Sequence, residues 1–191
     1  MADVEAFIAY WSEAGGTERS NYTRFLDDLC GLIGVETPGR SSDATRRTDY
    51  EYERQVTRHR RDGTTTPNYI DLYRRGCFVL EAKRSNKRIA QSAEQDDLPL
   101  NLPKSQARTG RRGGTQWDTM MLKARTQAED YAKSLPGEEG WPPFLIVVDI
   151  GHVIELYADF AQQGKHYAQF PDRQSYRHFL EDLRDPDISA R

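Results

Sequence analysis

The sequence has few of the features that mark membrane, secreted or zinc-binding proteins. No apolar run approaches the roughly 20 residues that a helix needs to cross a bilayer. The amino-terminal stretch carries acidic rather than basic residues ahead of its apolar part, unlike a secretion signal. Only 2 cysteines occur, Cys30 and Cys77, both within apolar segments. We therefore expect two buried reduced thiols in a cytoplasmic protein, no membrane association and no C-x-x-C zinc site.

Charged residues are abundant but unevenly distributed. The 27 Lys and Arg residues stand against 30 Asp and Glu residues, which gives a net charge of -3. Between Arg74 and Arg112, however, 10 basic residues face only 4 acidic ones. This pattern suits a polyanionic partner, but a solvated loop surface would look the same. Charge therefore permits a nucleic-acid-binding surface without establishing one.

Two amphipathic helices are predicted at the amino terminus. The first has an apolar stripe from Val4 to Trp11, and the second follows a Thr17 cap and ends at Gly34. Stripes of this kind predict a packed helix pair, and their aromatic side chains are more typical of a core than of a ligand site.

The pattern then changes to one typical of strands. Alternation predicts a strand from Tyr50 to about His59, and apolar runs at 68–73 and 77–83, separated by a short Gly-containing turn, predict a hairpin. A long amphipathic helix follows, then a buried strand at 144–148, an edge strand at 152–157 and a last helix near 176–183.

This order predicts an α/β fold. Its mixed sheet would contain an antiparallel three-strand meander, a crossover helix and further strands, with helices on its faces. We divide the chain into an amino-terminal helical pair at 1–38 and a core at 39–191 that carries a long basic loop at 84–114. A loop of that length inside a compact domain is usually functional or disordered.

The hairpin contains the residues best suited to chemistry. Glu81 and Lys83 lie two apart on one strand and share a face, because side chains alternate along a strand. Asp71 on the preceding strand joins them if it lies opposite Glu81 or Lys83. A two-residue loop would turn Asp71 to the wrong face. The geometry therefore demands an odd-length loop, such as one in which Gly76 takes a positive φ, or a bulge.

Two carboxylates and a lysine on one sheet face suit a hard divalent cation. Mg2+ prefers oxygen ligands, which Asp71, Glu81 and the carbonyl of Ala82 would supply. Such an ion can acidify a water and polarise a phosphoryl oxygen. Lys83 would then steady the attacking water and offset charge on the phosphate, so the chemistry would be phosphodiester hydrolysis. The competing interpretation is a plain salt bridge from Glu81 to Lys83, or to an Arg, on an exposed face.

These residues resemble a known family. Asp71-x9-Glu81-x-Lys83 is similar to the metal-binding signature of PD-(D/E)XK nucleases. The stretches 69–83 and 141–160 resemble the amino-terminal part of MmeI-like type IIL restriction enzymes, and this likeness runs over nearly all of the chain. The resemblance implies that Asp71 and Glu81 bind Mg2+ and that Lys83 is the catalytic lysine. One departure from the signature is Ile70, which stands where a proline usually precedes the aspartate.

The resemblance also implies partners. In those enzymes an adenine methyltransferase and a target-recognition domain follow the nuclease domain, and this sequence shows neither a Gly-rich cofactor loop nor a methylation motif. We expect those parts to lie in a separate domain or subunit, and double-stranded DNA to be the substrate. Dimerisation is expected for double-strand cleavage, because one hairpin provides one metal site. The alternative is a non-catalytic DNA-binding or docking module of a DNA methyltransferase.

Further residues are candidates for substrate contacts. Gln127-x3-Tyr131 is similar to the Gln-x3-Tyr element of RecB-type nucleases, which helps to place the substrate strand, although Tyr131 also fits simple packing. Glu53 on the first strand is a candidate accessory acid, but Asp49 and Glu51 lie nearby in the sequence and are alternative candidates. Tyr131 is also expected to contact DNA. The basic residues expected to contact DNA phosphates are Arg84, Lys87, Arg88, Arg111 and Arg112.

Overall fold

A computed structural model of the chain describes residues 3–14, 18–39, 49–59, 63–85, 114–164 and 166–189. Within these ranges the protein is an α/β fold built on a seven-stranded mixed sheet. The predicted fold class is therefore confirmed. The proposed division of the chain at residue 38 stays a prediction.

The two amino-terminal helices are α1, Val4–Glu13, and α2, Glu18–Ile33. Helix α1 begins where the side chain of Asp3 accepts a hydrogen bond from the N–H of Glu5 at 3.0 Å, a favourable N-cap. The helices pack together through an edge-to-face contact between Trp11 and Phe25, whose ring centroids lie 5.1 Å apart. The apolar stripes that predicted the helices are thus the faces they bury.

The sheet follows the predicted order over most of its length. Its strands are β1 (Tyr50–His59), β2 (Thr65–Arg74), β3 (Phe78–Lys83), β4 (Phe144–Asp149), β5 (Val153–Ala158), β6 (Ala168–Gln169) and β7 (Arg177–Phe179). They are ordered β1-β2-β3-β4-β5-β6, and β7 also pairs with β5. Strands β3 and β4 are parallel and the other pairs antiparallel. Helix α3, Thr115–Lys133, connects the parallel pair, as a crossover requires.

Alternating side chains give the sheet two covered faces. Val79 of β3 belongs to the apolar cluster beneath α3. Leu80 and Ala82, at even-numbered positions of the same strand, belong to the cluster beneath α1 and α2. Because both faces are covered, β3 and β4 read as continuous apolar runs in the sequence. The same alternation directs Glu81 and Lys83 toward α3.

The hairpin has an odd-length loop, as expected if Asp71 is to lie opposite Glu81 or Lys83. Residues 75–77 form the loop, Gly76 has φ +65°, and Leu72 pairs with Leu80. In this register the residue opposite Asp71 is Glu81. The sequence-based prediction of the register is confirmed, and glycine is needed because other residues are disfavoured at positive φ.

The carboxyl-terminal part corrects two predictions. Instead of one helix near 176–183, β7 is followed by a 3-10 helix, Leu180–Arg184, and a short helix α4, Pro186–Ser189. The reason is that the apolar residues of this segment serve opposite faces of the sheet. Tyr176 packs with the α3 cluster, while Leu180 and Leu183 pack with the α1–α2 cluster. The pairing of β5 with β6 and β7 also means that β5 is not an edge strand.

The cysteines are both free thiols, as expected, but only Cys30 is buried; Cys77 is partly exposed at the hairpin loop. Of the long basic loop, only Arg84, Ser85 and Gly114 lie within the described residues.

Candidate active site

The centre of the site is the end of β3, beneath α3. Glu81 is only 2% exposed, and the ammonium of Lys83 donates to its Oε1. The competing interpretation from sequence was a salt bridge between these residues on an exposed face. The ion pair is present, but it lies in a covered part of the sheet, where an unpaired carboxylate would be costly.

Asp71 reaches the same place from β2. The hydrogen-bonded ladder between β2 and β3 extends from the loop to Leu72 and Leu80. Two residues further along β3, the N–H of Ala82 donates to Asp71 Oδ2 at 2.7 Å. A side-chain oxygen thus occupies a position at which a strand carbonyl would accept in a continued ladder. The carboxylate of Asp71 is therefore held at the edge of β3, next to Glu81.

The donor set suits the hard cation expected from the sequence. In a strand, the N–H and C=O of one residue point to the same side, so the carbonyl of Ala82 also points toward β2 and Asp71. Two carboxylates and a carbonyl are oxygen ligands of the type that Mg2+ takes, with waters completing its shell. Within the described residues, no group of three or more His, Cys, Asp or Glu side chains is arranged around a common metal position. A site here would depend on the carbonyl and on water.

The Gln-x3-Tyr pair of α3 lies over these groups. Gln127 Nε2 donates to Tyr131 Oη at 2.8 Å. Burial raises the pKa of the Tyr131 hydroxyl, the negative charge of Glu81 raises it further, and Asp71 acts in the same direction while Lys83 opposes it. Tyr131 therefore lies within electrostatic range of Asp71, Glu81 and Lys83.

Asp149 is a residue near the site that sequence reasoning missed. It ends β4 beside Lys83, is fully buried, and accepts hydrogen bonds from Ser85 N–H at 2.8 Å and Ser85 Oγ at 2.5 Å. Trp117 Nε1, in the first turn of α3, donates to it at 2.8 Å. The available signal was a single acid at the end of an apolar strand, which reads equally well as a turn residue.

The candidate accessory acids have different surroundings. Glu51 is buried in an ion pair with Arg54 at 2.7 Å, and Asp49 is an exposed residue 3.5 Å from Arg75. Glu53 lies on β1 at the position facing Asp71, and its Oε1 accepts from Tyr22 Oη at 3.1 Å. Of the three, only Glu53 neighbours the site residues in the sheet.

The predicted DNA-binding residues are only partly described. The guanidinium of Arg84 donates to the carbonyl of Ala14 at the carboxyl end of α1, where a cation is favourable. This contact lies toward the α1–α2 face, away from Glu81 and Lys83. Lys87, Arg88, Arg111 and Arg112 lie outside the described residues. A DNA-binding role for all five stays a prediction.

Comparison with protein families gives a match over nearly the whole chain. The family model described as "MmeI, N-terminal domain" covers residues 2–188. The chain belongs to this family. As an MmeI N-terminal domain, it is placed in the context of restriction-modification enzymes, which confirms the resemblance carried by the hairpin and by 141–160. Neither the curated proteins nor the solved structures contain a match.

Among the described residues of this MmeI N-terminal domain, none of the helices combines the length and apolar character of a membrane span.

Proposed function

We propose that this MmeI N-terminal domain is a Mg2+-dependent DNA endonuclease that hydrolyses phosphodiester bonds. The observation that carries the proposal is the meeting of Asp71, Glu81 and Lys83 at the point where β2 parts from β3. Asp71, Glu81 and the Ala82 carbonyl would hold the ion. When bound, Mg2+ supplies Lewis-acid polarisation of a phosphoryl oxygen and lowers the pKa of a coordinated water.

The protein's own groups have separate tasks in this proposal. Lys83 is partly exposed, with 19% of its side chain accessible, so its ammonium can leave Glu81 Oε1 and donate to an attacking water or to the phosphate. The Ala82 N–H keeps the carboxylate of Asp71 in one orientation. Gln127 and Tyr131 offer an amide and a hydroxyl above the site, suited to positioning the DNA strand.

The partners follow from the same proposal. DNA affinity should fall steeply with salt, since the contacts expected of the basic loop are to phosphates, and should be largely indifferent to sequence. An adenine methyltransferase and a target-recognition part would supply specificity, and two copies would cut the two strands. A protein of this kind would act in the cytoplasm.

A second candidate function is a non-catalytic docking module for a DNA methyltransferase. The Lys83–Glu81 ion pair favours it, because the pair neutralises the buried carboxylate without any bound ion. The two functions differ in what Asp71→Ala does. If the chain is a docking module, the assembly that carries Asp71→Ala keeps all of its activities. If the chain is an endonuclease, that assembly loses cleavage and retains methylation.

The experiment measures plasmid cleavage with Mg2+ and with EDTA, by the purified chain and by its assembly with the methyltransferase part. Lys83→Ala is expected to reduce the cleavage rate by about 100-fold or more, as loss of a transition-state donor does. Lys133→Ala is the matched control, since that lysine only forms an exposed pair with Glu129 at the end of α3. Cleavage that survives EDTA or Lys83→Ala would exclude the proposed mechanism. Absence of cleavage from the complete assembly would favour the docking module.

A further inference from the structure

Glu53 has an unusual backbone conformation for a strand residue. Its φ is +52°, in the left-handed region that side-chain-bearing residues rarely adopt, yet it lies in the middle of β1. The pairing of β1 with β2 joins Tyr52 to Leu72 and Arg54 to Ile70, so Glu53 and Asp71 face each other between these pairs. The left-handed residue is thus the cross-strand neighbour of a proposed metal ligand.

The two strands exchange faces at this position. Leu72 is part of the α1–α2 cluster and Tyr52 packs against it, whereas Ile70 is part of the α3 cluster. Tyr73, three residues from Ile70, is also in the α3 cluster. In a regular strand Ile70 and Leu72 would share a face, and Ile70 and Tyr73 would not. Both strands therefore turn over at the Glu53–Asp71 position.

The contacts of β1 show the same inversion. Arg54 binds Glu51, three residues away, at 2.7 Å, and also binds Glu139 at 2.5 Å. The hydroxyl of Tyr73 donates to Glu139 as well, at 2.7 Å. A regular strand would place residues 51 and 54 on opposite faces. These buried contacts hold β1 in its turned form on both sides of Glu53, as a strained residue requires.

The inversion accounts for the direction of Asp71. The side chains of its two chain neighbours, Ile70 and Leu72, point to opposite faces of the sheet, so Asp71 lies where the strand turns over. There its carboxylate reaches the edge of β3, where Ala82 N–H donates to Oδ2 at 2.7 Å. In a regular β2, the side chain would instead project from one face of the sheet. The left-handed φ of Glu53 is the feature of β1 that permits the inversion.

We propose that Glu53 is a positioning residue for Asp71 and acts through its left-handed backbone rather than through its carboxylate. The consequence for metal binding rests on the proposed function, whereas the consequence for the Asp71–Ala82 contact does not. The carboxylate itself accepts a hydrogen bond from Tyr22, a buried residue of α2.

Four variants separate the backbone from the side chain. Glycine adopts a positive φ freely, so E53G keeps the inversion, and E53Q keeps a side chain of the same shape without its charge. Valine is strongly disfavoured at positive φ because it is β-branched, so E53V opposes the inversion. E53A and E53G test the left-handed conformation itself, should the valine variant fail to fold: a methyl group is disfavoured at positive φ, so E53G should be the more stable of the two in denaturant unfolding. D71A provides the reference for a lost contact.

The first measurement is hydrogen exchange of the Ala82 amide in the metal-free protein, with the Val147 amide of β4 as an internal reference for the fold. We expect E53V to lower protection at Ala82 by about tenfold or more, approaching D71A, while protection at Val147 is kept. E53G and E53Q should stay within about threefold of the parent protein at Ala82. The second measurement is Mn2+ binding, which E53V should weaken about tenfold or more and E53G and E53Q should leave within about threefold.

The results can overturn the proposal in two ways. Unchanged protection at Ala82 in folded E53V, or an E53A variant more stable than E53G if the valine variant does not fold, would show that the backbone of Glu53 does not position Asp71. Loss of protection in E53Q would show that the carboxylate acts instead. If the parent protein binds no Mn2+, the proposed function fails, and the exchange measurement still decides the positioning role.

Discussion

Trp117 Nε1 donates a hydrogen bond to Asp149 Oδ2 over 2.8 Å, in the buried space between the first turn of α3 and the end of β4. Ser85 binds the same carboxylate through both its N–H and its hydroxyl. Asp149 therefore ties the chain that leaves β3, the start of α3 and the end of β4 to one point beside Lys83. A fully buried carboxylate is tolerated here because Ser85 and Trp117 donate hydrogen bonds to it.

Asp149→Ala is expected to lower the free energy of unfolding by about 3 kcal/mol, because it leaves buried donors of Ser85 and Trp117 without their acceptor. Denaturant unfolding followed by circular dichroism measures the change. Glu181→Ala, at an exposed position of the carboxyl-terminal 3-10 helix, is the control and should change stability by less than about 0.5 kcal/mol. A loss below about 1 kcal/mol for Asp149→Ala would contradict the anchoring role.

Gln127 and Tyr131 are expected to act as a unit, because the amide of one donates directly to the hydroxyl of the other. Tyr131→Phe should reduce the cleavage rate by about tenfold and leave Mn2+ affinity within about twofold, since the hydroxyl positions the substrate strand in the proposed function. Gln127→Ala should have a similar effect.

The double variant tests the coupling. If the two groups work together, it should cut little more slowly than either single variant, so that the interaction energy exceeds about 0.5 kcal/mol. Effects that simply add would indicate independent roles. A change in Mn2+ affinity comparable to the change in rate would instead place Tyr131 among the groups that hold the metal site.

Much of the site could be predicted because strand geometry is periodic. If Asp71, Glu81 and Lys83 share a face, alternation limits the hairpin loop to an odd length, and Gly76 is the residue able to turn there. The inversion at Glu53 could not be predicted in this way. A left-handed residue inside a strand leaves no mark in the hydrophobic pattern when its side chain is polar.

Two other features depended on contacts between distant parts of the chain. The apolar residues Tyr176, Leu180 and Leu183 have helical spacing in the sequence. In the structure they pack on opposite faces of the sheet, because the segment runs along the edge of the sheet. Arg84 reads as part of a basic loop, but the end of α1 supplies a carbonyl for its guanidinium. Neither arrangement follows from local sequence, because each is decided by tertiary packing.

The same methyl group is expected to have opposite effects at Gly76 and Gly31. A Cβ at either position would meet no atom within 4 Å, so only backbone preference differs. Gly76→Ala should lower the free energy of unfolding by about 1–2 kcal/mol, since the hairpin loop holds φ at +65°. Gly31→Ala should raise it by about 0.5–1 kcal/mol, because Gly31 lies within helix α2. Equal signs in denaturant unfolding would contradict the conformational explanation.

Stability is expected to fall at alkaline pH because of buried tyrosines. Burial is the largest cause that raises the pKa of Tyr73, Tyr157 and Tyr167, and nearby carboxylates add to it. In the unfolded chain these hydroxyls lose their protons near pH 10, while in the folded protein they keep them. The unfolded state therefore binds fewer protons above that pH, and folding is progressively disfavoured.

The contribution of these tyrosines should be fully present below about pH 10 and should decline above it, by about 1.4 kcal/mol per pH unit for each tyrosine. Denaturant unfolding at a series of pH values measures the slope, and the ultraviolet absorbance of phenolate shows when the hydroxyls ionise. Tyr157→Phe should reduce the slope by the contribution of one proton, about 1.4 kcal/mol per pH unit. The substitution also removes the hydrogen bond to Glu155. Phenolate absorbance that grows near pH 10 while the protein stays folded would contradict the prediction, because it would mean that the folded state does not retain these protons.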